Sequence, residues 1–165
     1  IFDPPQSRSA AIGIALWDYP ESAPSPRRVR AMEHNQRLIH LSQEHASALK
    51  LAMAVRMLAP ENESDLPAVA RRVREVFENE LLPHFADEER FVMPRLAQIG
   101  RHDLIERMRA EHVELQKLVE ALATPRAEDI HRFSAALTAH VGFEENIVWE
   151  VLEPGPGATF EAEST

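Results

Sequence analysis

His84-Phe85-Ala86-Asp87-Glu88-Glu89-Arg90-Phe91-Val92 and His140-Val141-Gly142-Phe143-Glu144-Glu145-Asn146-Ile147-Val148 share one pattern, H-x3-E-E-x2-V. Each copy has a companion upstream: Glu44-His45 through Leu51 and Glu111-His112 through Leu118 both read E-H-x4-K-L. An EH segment followed by an HxxxEE segment, twice over, is a repeated helix pair if these segments are helical. Hydrophobic periodicity says that they are. Val73, Phe77, Leu81, Val92 and Leu96 flank His84 and Glu88, while Phe133, Leu137, Val148 and Val151 flank His140 and Glu144. Spacings of three and four residues mark one face of an α-helix. His112 falls among Leu104, Met108, Leu115, Val119 and Leu122, and His45 among Leu38, Leu41, Leu49 and Ala52. Every one of these histidines takes a core position, with Glu88 or Glu144 one turn beyond two of them.

The rest of the chain organises around these segments. Five of the 12 prolines lie between Pro4 and Pro26 and two more are Pro154 and Pro156, whereas residues 29–153 hold five prolines and two glycines. Proline ends or kinks helices, so helix is expected in the middle. Four amphipathic stretches are predicted, over 29–58, 65–99, 103–124 and 127–152. Ser64 and Asp103 are expected N-caps, and Gly100 sits where a C-terminal cap belongs. Pro83 and Pro94 should each disturb the turn before them. No segment alternates with period two. The predicted fold is all-α, an up-down-up-down four-helix bundle over 29–153. An N-terminal arm, residues 1–28, carries Ile12, Ile14, Leu16 and Trp17 and should lie across the bundle; residues 154–165 form a flexible tail.

Composition narrows the function. At 165 residues, 44% apolar and 27% charged, the chain has the size and balance of one globular domain. A net charge of −9 opposes nucleic-acid binding, which needs clustered cations. The longest apolar run, Ala10 to Trp17, is far short of the roughly 20 residues that span a bilayer. No basic segment precedes a long apolar one near the start, so a cytoplasmic location is expected. Without cysteine there is no disulfide, thiolate site or cysteine nucleophile, and the five glycines form no phosphate-binding loop.

Six polar groups in one bundle interior need a reason. An unpaired buried carboxylate costs several kcal/mol or more. A single core histidine is usually hydrogen-bonded packing, but four at matching stripe positions, two with a glutamate at i+4, point to metal ions as the counter-charge. His34, His40, His102 and His131 lack this pattern and are expected at the surface or in packing. Glu44, Glu89, Glu111 and Glu145 adjoin the candidates yet point about 100° away on a helical wheel, so solvated positions, or contacts behind the ligands, are expected.

On these four segments, across residues 34–152, the chain resembles the hemerythrin-like domains called HHE cation-binding domains. The resemblance implies a carboxylate-bridged, non-haem di-iron centre. Its ligands would be His45, His84, Glu88, His112, His140 and Glu144, with the two glutamates bridging. Oxygen-carrying hemerythrins follow the third-helix histidine with another, as HxxxH; here that position is Gln116. They also place the last carboxylate five residues after its histidine, where this chain offers Glu144 at four and Glu145 at five. The four-His, two-Glu set is more similar to bacterial iron-centre repair proteins and eukaryotic iron-sensing ubiquitin-ligase subunits. The former add a cysteine-bearing segment, and this chain has no cysteine.

Imidazole with carboxylate suits iron or manganese, with zinc as a further alternative, although structural zinc prefers a closed tetrahedron. Ferritin-type bundles need two ExxH motifs, and this chain has one, Glu128 to His131. Three functions are compatible with the reading. The leading one binds O2, peroxide or NO at an open iron position, for sensing, storage or scavenging. The others are an enzyme that turns over peroxide or oxidises iron, and a metal-stabilised module that reports iron or oxygen status to a protein partner. The repeat aligns Gln116 with Leu49, one turn beyond the EH histidines, so Gln116 is expected to face the site, and Gln116 and Glu145 are the candidate residues behind the ligands.

Overall fold

The computed structural model describes residues 26–58 and 63–152. The expected tail lies outside the described residues, and so does the expected arm apart from its last three positions, which open the first helix. Helix α1 runs Pro26–Leu58, α2 covers 66–98, α3 runs His102–Ala121, and α4 covers 127–152. No strand occurs among the described residues, and no helix there is long and apolar enough to cross a membrane.

The core is divided. One apolar cluster joins Ala52, Phe77, Leu115, Phe133, Leu137 and Val141, among others. A second joins Leu38, Val92, Leu96, Met108, Val148 and Trp149, among others. Between the two lie the buried histidines and glutamates, a polar layer capped by oil on both sides. Partners along α1 and α4 run in reverse order. The Ser134 hydroxyl donates to the Ala52 carbonyl at 2.8 Å, His45 meets Glu145, and Trp149 donates to Ser42 at 2.9 Å.

Both α2 and α4 widen locally. Phe77–Leu81 and Glu88–Val92 are π-helical turns, in which the Leu82 N–H reaches Phe77 and the Met93 N–H reaches Glu88. Pro83 and Pro94 each come one residue after the turn, behind Leu82 and Met93. A proline crowds the carbonyl four residues back, and an extra residue in the preceding turn relieves that crowding. A third π turn, Glu144–Val148, precedes no proline. It is the repeat partner of Glu88–Val92, and the two share a buried carboxylate at their first residue.

Helix ends depart in part from expectation. Ser64 falls in a short 3-10 turn, Glu63–Asp65, and Asp65 takes the N-cap position of α2 without a side-chain bond. Asp103 lies inside the first turn of α3, where Arg101 takes the N-cap position, and its carboxylate pairs with the Arg101 guanidinium at 2.8 and 2.9 Å. Gly100 behaves as expected. At φ +75° its N–H bonds to the Ala97 carbonyl while that of Arg101 bonds to Leu96, closing α2.

Two glycine substitutions should therefore act with opposite signs. Gly100→Ala puts a side chain into left-handed backbone and is expected to cost about 1–2 kcal/mol. Gly142→Ala sits inside α4 with nothing within 4 Å of the new methyl, and should add about 0.5–1 kcal/mol. Urea titration measures both; shifts of the same sign would contradict this account of the helix end.

Candidate metal centre

Among the described residues eight polar or charged side chains are buried, and six are His45, His84, Glu88, His112, His140 and Glu144. The remaining two are satisfied locally, Ser134 by the Ala52 carbonyl and Asp129 by Arg126 at 2.9 Å. The six have chiefly one another. Helical spacing of four puts His84 above Glu88 and His140 above Glu144, and one histidine from each of α1 and α3 completes the layer.

The carboxylate oxygens divide between two histidine pairs. Glu88 Oε1 lies 3.1 Å from His84 Nε2 and 3.7 Å from His45 Nε2, while its Oε2 lies 3.2 Å from His112 Nε2. Glu144 Oε2 lies 3.1 Å from His45 Nε2, while its Oε1 lies 3.5 Å from His140 Nε2 and 4.0 Å from His112 Nε2. Two four-residue groups result, His45-His84-Glu88-Glu144 and His112-His140-Glu88-Glu144, with both glutamates in each. In each group one ligand atom per residue falls within 4.8 Å of the others, close enough to hold a metal ion.

The outer faces of the rings are held by the neighbouring glutamates. Glu44 accepts from His84 Nδ1 at 2.8 Å, Glu145 from His45 Nδ1 at 2.6 Å, and Glu111 from His140 Nδ1 at 3.0 Å. Of the two expectations for these residues, contact behind the ligands therefore holds for three of them. Each glutamate reaches across to a histidine of another helix, which a wheel drawn for one helix cannot show. The sequence signal was the repeat, since E-H and E-E recur in both halves. Glu89, 57% exposed, stops 3.9 Å from His112 Nδ1.

These bonds decide the chemistry. A ring that donates through Nδ1 presents its lone pair at Nε2. His45 and His84 both do so, and their Nε2 atoms face each other at 3.0 Å. Facing lone pairs repel unless a cation takes both. Both oxygens of Glu88 and Glu144, and Nε2 of His112 and His140, are buried without a hydrogen-bond partner. Ligands about 2.1 Å from a shared ion and about 90° apart would lie roughly 3.0 Å from each other. The 3.0–3.1 Å separations around His45 and His84 fit that edge. The donor set fits a metal.

Among protein groups alone, protons supply the balancing charge. Burial disfavours the charged form of His45, but Glu144 and Glu88 outweigh it and push its pKa up to about 10. His84 is also raised, its burial overcome by Glu88 and Glu44. Burial and the charge of Glu88 keep Glu144 protonated well above the usual range. Burial opposes ionisation of Glu88 too, yet three imidazoles hold it well below that range.

The other sequence candidates sit apart. Gln116 is exposed and donates to Glu120 at 3.4 Å, so its amide does not face the polar layer as the repeat alignment with Leu49 implied. His40, His102 and His131 are exposed, and the side chain of His34 lies outside the described residues. The aromatic neighbours were missed from sequence. Trp149 stacks on His45 at 5.5 Å and Phe85 on His112 at 4.0 Å.

Stripped of metal, the chain should lose stability as pH rises. His45 binds its proton more tightly when folded, at about 10 against 6.5. Its contribution is complete below about 6.5 and is lost as pH climbs through 10. Metal-loaded protein should show the reverse slope, because ligation needs neutral imidazole and binding only the folded state stabilises it. Thermal melts across that window, with chelator and with metal, test the pair. Parallel slopes would count against ligation by His45.

Comparison with known proteins gives one finding. Residues 36–152 match the family model described as the hemerythrin HHE cation binding domain. Neither the curated proteins nor the solved structures gave a match. The matched span contains all six buried residues and all four repeat segments, and it covers well over half of the chain. On that match the chain belongs to the hemerythrin HHE cation binding domain family, whose members bind metal ions.

Proposed function

We propose that the chain holds a carboxylate-bridged pair of iron ions in an up-down-up-down bundle and uses them to bind O2, peroxide or NO. The partition of the Glu88 and Glu144 oxygens between the two histidine pairs carries the two-ion reading. The reverse order of partners along α1 and α4 supports the connectivity. Bound there, iron would supply a redox-active Lewis acid with a position left for a small ligand. Manganese satisfies the same donors.

A cavity of about 190 Å³ supports the small-ligand reading, because it is bounded by His45, His84 and His140. Its apolar walls are Ala48, Leu81, Phe85, Leu137 and Val141, and exposed Ser47, Asn79 and Glu80 are among its polar lining. At that size, a little above the roughly 150 Å³ that holds benzene, it accepts a small ligand and no bulky substrate. A single observation favours an enzymatic second reading. Glu44 lines the same cavity, holds His84 Nδ1, and lies 3.3 Å from exposed His40, a path along which a proton could pass. Peroxide turnover would use such a path.

Anaerobic reconstitution with ferrous iron should load two ions per chain, and His84→Ala or His140→Ala should each reduce that number. His131→Ala should leave it at two. On mixing with O2 the reduced protein should oxidise and fail to return on degassing, because polar groups at the cavity let protons and water in. Equal iron loss in all three variants would defeat the site, and recovery over repeated degassing cycles would show a reversible carrier instead.

A further inference from the structure

The contacts behind the ligands pass from helix to helix. Glu44 on α1 holds a ring of α2, Glu145 on α4 holds a ring of α1, and Glu111 on α3 holds a ring of α4. The fourth link, from Glu89 on α2 to His112 on α3, stays open at 3.9 Å. From this open link, and resting on the two-ion reading above, we infer that the two ions are held unequally. The one between His112 and His140 is the exchangeable ion, and it leaves through the α2–α3 face.

An outer partner fixes the tautomer and orientation of a ligand ring, and its loss typically weakens metal binding by about 10–100-fold. His45 and His84 each have one. His112 has none, and its Nδ1 is buried without a hydrogen-bond partner. Ligand-atom separations lean the same way, at 3.0–3.7 Å around the first pair and 3.2–4.0 Å around the second. Surroundings agree as well. His45 lies under Trp149, whose indole N–H donates to both Ser42 and Glu145. His112 stacks on Phe85 at 4.0 Å, but its other side lines a surface cavity with Glu89, Arg109, Val113 and Gln116. Polar groups there can solvate an ion in transit, and nothing bonded to Nδ1 stops the ring from turning away. The cavity beside His84 reaches the other ion too, but both rings on that side are tethered, so a small ligand can enter without a ligand ring leaving.

Equilibrium competition tests this with protein loaded anaerobically with two ferrous ions against a coloured ferrous chelator, read by absorbance. The wild-type chain should yield two ions that differ in retention by about 10–100-fold. His112→Ala should lose the weak ion and keep the tight one. Glu145→Gln should weaken the tight ion toward the other, while Glu89→Gln should move neither ion by more than about threefold, well inside the effect of a true outer partner. Equal retention of both ions in the wild type, or a Glu89→Gln effect as large as that of Glu145→Gln, overturns the inference. Saturation below two ions overturns the two-ion reading beneath it, so the two failures are told apart by stoichiometry.

Discussion

Two carboxylates buried among four imidazoles, between two apolar clusters, set the terms for the rest of this protein. Each ionised group taken out of water costs several kcal/mol after relaxation, and that cost is recovered only if its charge is matched in place. The bundle meets the requirement by bringing one histidine from every helix to a single layer. The apolar clusters on either side then raise the stakes, because low dielectric strengthens matched charges and penalises unmatched ones alike. Protons or cations must fill the layer. The pKa of His45 at about 10, with Glu144 kept protonated, is the proton-filled answer, and a metal ion bound there would replace it by displacing those protons.

Orientation is the second problem, and carboxylates solve it at one remove. Glu44, Glu111 and Glu145 sit beside buried histidines or glutamates in sequence but hold a histidine on another helix. The arrangement ties α1 to α2, α3 to α4 and α4 to α1 through the centre. Loss of one outer glutamate would therefore be felt in helix packing as well as in the buried layer. The π turns that begin at Glu88 and Glu144 belong to the same design, since local widening in a helix commonly marks a functional residue.

Much of this was legible in the sequence, for a definite reason. A histidine followed by glutamate at i+4 within an apolar stripe can only face the core, so His84, Glu88, His140 and Glu144 were assigned by periodicity alone. Their EH counterparts followed from the repeat. Contacts between helices were not legible, because periodicity orients a residue on its own helix and says nothing of a neighbour's reach. Glu145 and Trp149 show this, both drawn to His45 from across the bundle. Gln116 shows the converse error, since repeat alignment equates it with half-buried Leu49 although it is exposed. The cap assignments missed by one or two residues, as Asp65 and Arg101 took the N-cap positions expected of Ser64 and Asp103.

The central claim is that one layer of six side chains holds two ions through shared glutamates. A crystal structure of iron-reconstituted protein, with anomalous data collected at the iron edge, tests it most directly. The account predicts two anomalous peaks per chain, one between His45 and His84 and one between His112 and His140, with Glu88 and Glu144 touching both. A single peak, or iron bound at the exposed His40, His102 or His131 with the layer free of metal, would contradict it.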